Sequence, residues 1–354
     1  MLKKNFLIIS SDISPGGISE MLVIYTVALL NLNYKVTLVL SNNSVTISRI
    51  NTVVNSIKID KDALKVIQYK KHQLYYARFV FSSFFKNIFS NIHGCFIHNA
   101  RLIPTVRKYT NKTIFAVNHT GKKSQYKYYK KSNLILSVNK TINNQLIKSG
   151  IDKSKCLVCV NSLLSLPDID AINELKDKEE IKIGVIGRFV KKKGFEDFIE
   201  AIKILKNRKH KIIAFMAGDG VLSKTLQEKA KPHPEIKFLG WVKNKEEFYR
   251  KIDIFCQPSY FEPFGLTVIE AMSYSLPVIS TNCDGPREII GNEGKNGFLV
   301  PIGDSQEMAN YIEKLINDKS KRIETGICAR KHIEKHYTLD SLQNLLSRYI
   351  DENT

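Results

Sequence analysis

The stretch 261–272, FEPFGLTVIEAM, holds two carboxylates, Glu262 and Glu270, separated by seven residues. Phe264, Gly265 and Leu266 open a helix between them, so backbone N–H groups around Gly265–Thr267 are offered to an anion. Glu270 then lies about one turn inside that helix, and the two carboxylates can address different parts of one ligand. A plainer reading is an acidic cap and a solvated helix carboxylate. Glu270 stands among Val268, Ile269, Ala271 and Met272, however, where a carboxylate needs a partner. A second candidate is 184–194, GVIGRFVKKKG. A strand ends at Gly187, and Arg188 and Lys193 flank the turn that follows. Arginine can grip a phosphate with two N–H groups, and lysine supplies a mobile point charge. A solvated basic turn is the alternative. Gly218–Asp219–Gly220 is a turn after a strand, and Leu239–Val242 ends another. Neither GxGxxG nor GxxxxGK[ST] occurs, which removes the dinucleotide fingerprint and the P-loop.

The first half offers less. Gly16 and Gly17 follow the first strand and precede a helix, where bare backbone can approach an anion; a plain turn capped by Ser19 is the alternative. His119, in FAVNHTG, ends a strand, as does His98, which reads as a structural histidine. The other six histidines have no metal-ligand spacing. Asp60-x-Asp62 and Asp168-x-Asp170 have the spacing of a metal-binding DxD pair, but neither follows a clear strand end, and both read as solvated surface; no metal is expected. Cys156 and Cys159 form a lone CxxC inside an apolar run and read as two core thiols.

These residues are carried by short apolar runs alternating with helix-period stretches, the pattern of parallel sheets with crossover helices. Strands are expected at 6–10, 36–40, 96–98, 113–118, 134–138 and 156–160. A second series is expected at 181–186, 212–217, 237–239, 254–257, 277–280 and 297–300. Helices are expected at 19–32 (amphipathic), 195–207, 222–230, 245–252, 266–273, 305–317 and 338–349. The fold class is α/β, with two Rossmann-like doubly wound domains facing across a cleft at the carboxyl ends of their strands. The boundaries are 1–165 for the first domain, 166–180 for a polar, acidic linker, 181–337 for the second domain, and 338–354 for a helix that crosses back to the first.

FEPFGLTVIEAM resembles the E-x7-E signature of glycosyltransferase family 4, retaining enzymes of the GT-B architecture, and GRFVKKKG resembles that family's G-R-x4-K-G donor-phosphate motif. AGDG, FLGWV and the stretch 277–301 match later family elements in order, so the resemblance covers 181–304. The first half matches more loosely, through Gly16–Gly17, His119 and Asn161. The resemblance implies a nucleotide-sugar donor, a UDP- or GDP-sugar, used as substrate with no cofactor and no metal. It implies that Arg188 and Lys193 neutralise the leaving diphosphate, where fixed cations favour the transition state. Glu270 would take the ribose hydroxyls, and Glu262 the donor sugar. Phe264, Gly265 and Leu266 would add backbone donors, Gly218 would line the donor site, and the backbone at Val242 would meet the base. Gly16 and Gly17 would approach the diphosphate and acceptor, and His119 would sit near the reacting sugar.

Charge adds a partner. The formal net charge is +20. Residues 1–165 hold 24 basic and 5 acidic side chains, whereas 166–354 hold 30 and 29. The excess concentrates in 65–89 and in 122–131, KKSQYKYYKK, where Lys122, Lys123, Lys127, Lys130 and Lys131 interleave with tyrosines. Cations with rings between them suit an anionic membrane surface. Nucleic acid would also accept the mix but is the less favoured partner, and a solvated face over core aromatics is the third reading. No apolar run reaches the roughly 20 residues of a spanning helix, and the start lacks an export signal. The expectation is a cytoplasmic protein held peripherally on the inner face of the cell membrane, acting on a lipid-linked glycan or surface-polysaccharide precursor of lipopolysaccharide or capsule type. The alternative is a catalytically silent basic protein that binds an anionic membrane or nucleic acid.

Overall fold

The computed structural model describes residues 4–56, 61–70, 82–168 and 180–354. Lys71 and Arg78 of the basic stretch 65–89, Asp60 and Asp170 of the two DxD pairs, and 169–179 of the expected linker lie outside the described residues. The chain divides into two compact units. One is Met1–Leu164 with Leu339–Thr354, and the other is Ser165–Thr338.

The first unit is built on strands β1 (Asn5–Ser10), β2 (Lys35–Ser41), β3 (Leu64–Tyr69), β4 (Gly94–Ile97), β5 (Thr113–Asn118), β6 (Leu134–Ser137) and β7 (Cys156–Val158). They form one seven-stranded sheet in the order β3-β2-β1-β4-β5-β6-β7, parallel at every pairing. Helices cover both faces of such a sheet, so its central strands read as unbroken apolar runs. Phe6, Leu7, Ile8, Phe96, Phe115 and Ala116 are fully buried. The strand order reverses between β1 and β4. β3 was not expected as a strand, because LKVIQY sits inside a Lys- and Tyr-rich stretch and, at the sheet edge, only Tyr69 of it is buried.

The helix Gly17–Asn31 differs from its amphipathic reading. Every residue from Met21 to Leu30 is buried. The helices Thr46–Ser56 and Leu339–Asp351 both pack on it, so it has no solvent face and needs no polar stripe. The helix Leu339–Asp351 is tied into this unit. Tyr349 Oη donates to the Val158 carbonyl at 2.8 Å, and Thr113 Oγ1 donates to the Asn353 carbonyl at 2.8 Å.

The second unit has strands β8 (Ile181–Ile186), β9 (Ile212–Ala217), β10 (Ile236–Gly240), β11 (Ile254–Gln257), β12 (Val278–Thr281) and β13 (Phe298–Val300). Its parallel sheet runs β10-β9-β8-β11-β12-β13, and the order reverses between β8 and β11. In doubly wound sheets ligands bind outside the carboxyl ends of the strands at that reversal. Gly187–Gly194 follows β8 and Pro258–Gly265 follows β11, so both motifs of the second half meet there.

Two helices of this unit went unexpected. Asp284–Ile290 is short. Lys319–His336 buries Arg322, Thr325, Gly326, Ala329, Arg330 and Ile333 in place of an apolar stripe. Its arginines are held by carbonyls: Arg322 donates to Leu315 O at 2.5 Å, and Arg330 to Pro167 O at 3.2 Å and to Ser273 O.

Candidate active site

In the second unit, Lys193 closes the 3₁₀ turn Lys191–Lys193, and Glu262 stands in the loop after β11. Their side chains form an ion pair, Lys193 Nζ to Glu262 Oε2, with 18% and 14% of each side chain exposed. Gln257, the buried last residue of β11, donates from Nε2 to the same Glu262 oxygen at 3.3 Å and to Ser259 Oγ at 2.7 Å. Gln257 Oε1 accepts from Thr267 Oγ1 at 3.0 Å. One amide thus ties Glu262 to the first turn of the helix Leu266–Ser273.

Close backbone approach holds the two loops together. Gly194 has φ +64°, and a Cβ there would stand 1.9 Å from the Pro258 carbonyl oxygen. Tyr260 N–H donates to Lys192 O at 2.8 Å. Gly285 N–H donates to Glu262 O at 3.0 Å, and a Cβ at Gly285 would come within 2.1 Å of Phe264 O. The loop 258–265 is therefore clamped from both sides by chain that lacks side-chain bulk.

Phe264 and Gly265 are buried, and Gly265 begins the helix with φ +108°. Leu266 and Thr267 follow in the turn where N–H groups have no preceding helical carbonyl to meet. Glu270 is placed apart from Glu262. It accepts from Tyr249 Oη at 2.7 Å and pairs with Lys245 Nζ at 2.6 Å, with 15% of its side chain exposed. Burial, followed by the Glu270 charge, pushes the Tyr249 hydroxyl far above its ordinary pKa, so it stays a donor to that carboxylate. Arg188 is exposed, and its side chain makes no hydrogen bond or ion pair among the described residues. Gly218 N–H donates to Gly240 O at 2.7 Å, which joins the ends of β9 and β10. Val242 is half-buried just beyond, next to a Trp241 that is 54% exposed.

In the first unit, Gly16 and Gly17 are exposed at the head of the helix Gly17–Asn31. Ser19 Oγ accepts from Gly16 N–H at 2.9 Å and donates to Gly16 O at 2.7 Å, so the loop is closed on itself. His119 meets a second histidine: His98 Nδ1 and His119 Nε2 are 3.0 Å apart. Burial lowers both imidazoles, His119 to about 4 and His98 well below its ordinary value, with the neighbouring His119 adding to the shift of His98. Both are neutral at pH 7. His98, read from sequence as a structural histidine, is buried against His119.

The interleaved aromatics of 122–131 are a correction. Lys122, Lys123, Lys127, Lys130 and Lys131 are all exposed. Tyr126 and Tyr129 are buried in the core, where Tyr126 Oη donates to Gly121 O at 3.2 Å and Tyr129 Oη to Asn118 Oδ1 at 3.2 Å. Two of the three rings therefore anchor the segment from below instead of reaching a membrane. The CxxC thiols are free and have different surroundings: Cys159 lies 3.3 Å from Tyr25 Oη, and Cys156 meets Asp152 O at 3.4 Å. Among the described residues no group of three or more His, Cys, Asp or Glu could hold a metal ion, and no helix is long and apolar enough to cross a membrane.

Sequence reasoning missed Gln257, Lys245 and Tyr249, and read His98 as structural. Only Gln257 left a signal, a lone amide ending the apolar strand IFCQ.

Two doubly wound parallel sheets, with paired motifs at the reversal of the second, define a GT-B-type protein. The comparisons agree. Residues 168–332, within the second unit, match the family described as glycosyl transferases group 1. It is 26% identical over 242 residues to the capsular polysaccharide biosynthesis glycosyltransferase CapM of Staphylococcus aureus, covering 62% of each chain. It is 33% identical over 150 residues to the lipopolysaccharide core biosynthesis glycosyltransferase LpsE of Rhizobium meliloti (strain 1021), covering 42% of each. These matches span about three fifths and two fifths of the two relatives. The structure of Anabaena HepE in complex with UDP-glucose superposes with a TM-score of 0.81 at 16% identity, over 98% of this chain and 99% of that one, which shows the shared fold.

Proposed function

We propose that this chain is a retaining glycosyltransferase that moves a sugar from a UDP- or GDP-sugar to a lipid-linked glycan or surface-polysaccharide precursor at the cytoplasmic membrane face. The observation that carries the reading is the Lys193–Glu262 pair, fixed by Gln257 beside an open helix start. A diphosphate brought to that helix start meets N–H groups, Lys193 and the unpaired Arg188. As the C1–O bond to the diphosphate breaks, charge grows on phosphate oxygens, where fixed cations are worth most. Glu262, freed of part of its cation, accepts from hydroxyls of the donor sugar. Glu270, already oriented by Tyr249 and Lys245, accepts from the ribose. The acceptor oxygen bonds to C1 on the face the diphosphate leaves, and its proton passes to a departing phosphate oxygen, so configuration is kept. CapM and LpsE, by their names, act in capsular polysaccharide and lipopolysaccharide core biosynthesis, and this supports an acceptor of that kind.

The test is a thermal-shift screen against UDP, GDP and ADP and their sugar conjugates, followed by assay of nucleoside diphosphate release. A ligand at about 100 times its Kd stabilises by about 2.7 kcal/mol, a clear rise in melting temperature. One nucleotide raising it, with release from the matching sugar, supports transfer. Silence across the panel, with tight binding to anionic vesicles, gives the silent membrane-binding alternative.

A further inference from the structure

His98 and His119 come from the carboxyl ends of neighbouring strands, β4 and β5, and their rings lie 5.1 Å apart. The contact His98 Nδ1 to His119 Nε2 at 3.0 Å holds one proton, since each neutral imidazole carries a single N–H. Which ring donates is decided by the far side of His98. His98 Nε2 is buried and has no hydrogen-bond partner among the described residues. If it carried the proton, a buried N–H would go unmet, and orphaned N–H groups are rarer in proteins than orphaned acceptors. The proton therefore belongs on Nδ1 of His98. His119 then accepts at Nε2 and must carry its own proton on Nδ1.

The surroundings hold this arrangement still. The Tyr25 ring stands edge-to-face with His98 at 4.8 Å and 86°, and Tyr25 Oη lies 3.3 Å from Cys159 Sγ. The titratable groups facing the pair are Tyr25 and, behind it, Cys159. Burial raises both above their ordinary pKa, so neither is charged at neutral pH. His119 is only half-buried, and its Nδ1 makes no hydrogen bond among the described residues.

We propose that His98 is a positioning residue that donates from Nδ1 to His119 Nε2, fixing His119 as a neutral imidazole whose Nδ1–H donates to a hydroxyl oxygen of the bound sugar or acceptor. This rests on the glycosyl-transfer reading. It assigns His119 the work of a donor and removes it as the base, a role the departing diphosphate fills. Low pKa values on both rings agree with a pair that stays neutral.

The direct test needs no turnover. Long-range nitrogen–proton correlation spectra of the full-length protein with ¹⁵N-labelled histidines, assigned with His98→Phe and His119→Asn, report the tautomer of each ring. Both rings neutral at pH 7 with protons on Nδ1 is the expected result. A proton on Nε2 of His119, with His98 Nε2–H aimed at the Tyr25 ring, overturns it. The second measurement is kcat/KM for UDP- or GDP-sugar in His98→Phe and His98→Asn. Phenylalanine keeps the ring against Tyr25 and loses the N–H, so kcat/KM falls about tenfold, the worth of one hydrogen bond. Asparagine loses the ring but keeps an amide N–H donor, and recovers most of the loss. Equal losses, or the reverse order, make His98 a packing residue. A protein with the expected tautomers and no turnover with any donor would leave the pair standing and sink the transfer reading instead.

Discussion

Lys193 and Glu262 have opposite charges, are mostly buried and lean on one amide, so they do not behave as two independent sites. Lys193→Ala leaves a carboxylate facing Gln257 alone. Glu262→Gln leaves an ammonium with a neutral partner. Each single change is expected to lower turnover by about 100-fold or more, the size seen when one preorganised charge-stabilising group is lost. The double variant should lose much less than the product of the two, because the second change removes a group already stranded. Turnover at saturating donor for all four proteins checks this, and multiplicative losses would make the pair incidental. His119 gives a second expectation. Its pKa is about 4 in the folded chain against an ordinary 6.5, because burial disfavours the charged ring. The unfolded chain therefore binds the proton first, and the stability His119 contributes is full above pH 6.5 and drains away as pH falls towards 4. Melting temperature across pH 4–7 should drop less steeply in His119→Asn than in the parent; parallel curves would mean the ring is not held neutral.

The elements that hold these side chains matter as much as the side chains. Gly285 bears no functional group, yet its N–H holds Glu262 O and its bare Cα faces Phe264 O. Gly285→Ala must push the loop 258–265 away, since no real Cβ sits 2.1 Å from a carbonyl oxygen. We expect turnover to fall by about 100-fold, a displacement of about 1 Å being enough, while circular dichroism stays that of the parent. Unchanged turnover would show that the loop is not positioned from this side. The same elements explain what could be read in advance. β8, β9 and β11 are buried on both faces, so their apolar runs end where the strands end. The helix Lys319–His336 was hidden because its contact with Ser275 uses Gly326, and its buried positions include two arginines that donate to carbonyls. The partnership of His98 with His119 was hidden because it exists only through the β4–β5 register, across 21 residues with no pattern between them. Motif residues were legible by type and spacing; the groups that orient them, Gln257, Tyr249 and Lys245, arrive through tertiary contact.

At the scale of the molecule, the charge split sets the two units apart. Nearly all the surplus lies in residues 1–165, while the half bearing the donor motifs is balanced. One diphosphate needs few cations, and the membrane face we propose would use the surplus. The five exposed lysines of 122–131 stand on a segment pinned by buried Tyr126 and Tyr129, which leaves the half-buried Tyr128 as the one ring beside them. On that proposal the face would bind by charge, at about 1 kcal/mol per lysine close to an anionic surface, and weaken with salt as the Debye length shrinks from about 10 Å at 0.1 M. Replacing Lys122, Lys123, Lys130 and Lys131 with glutamate should then abolish sedimentation with vesicles rich in anionic lipid at low salt. It should leave binding to neutral vesicles as weak as before, and leave UDP or GDP stabilisation untouched, since the donor motifs are in the other unit. Vesicle binding that survives both the reversal and high salt would require buried apolar contact, and the membrane face would have to be sought elsewhere on the first unit.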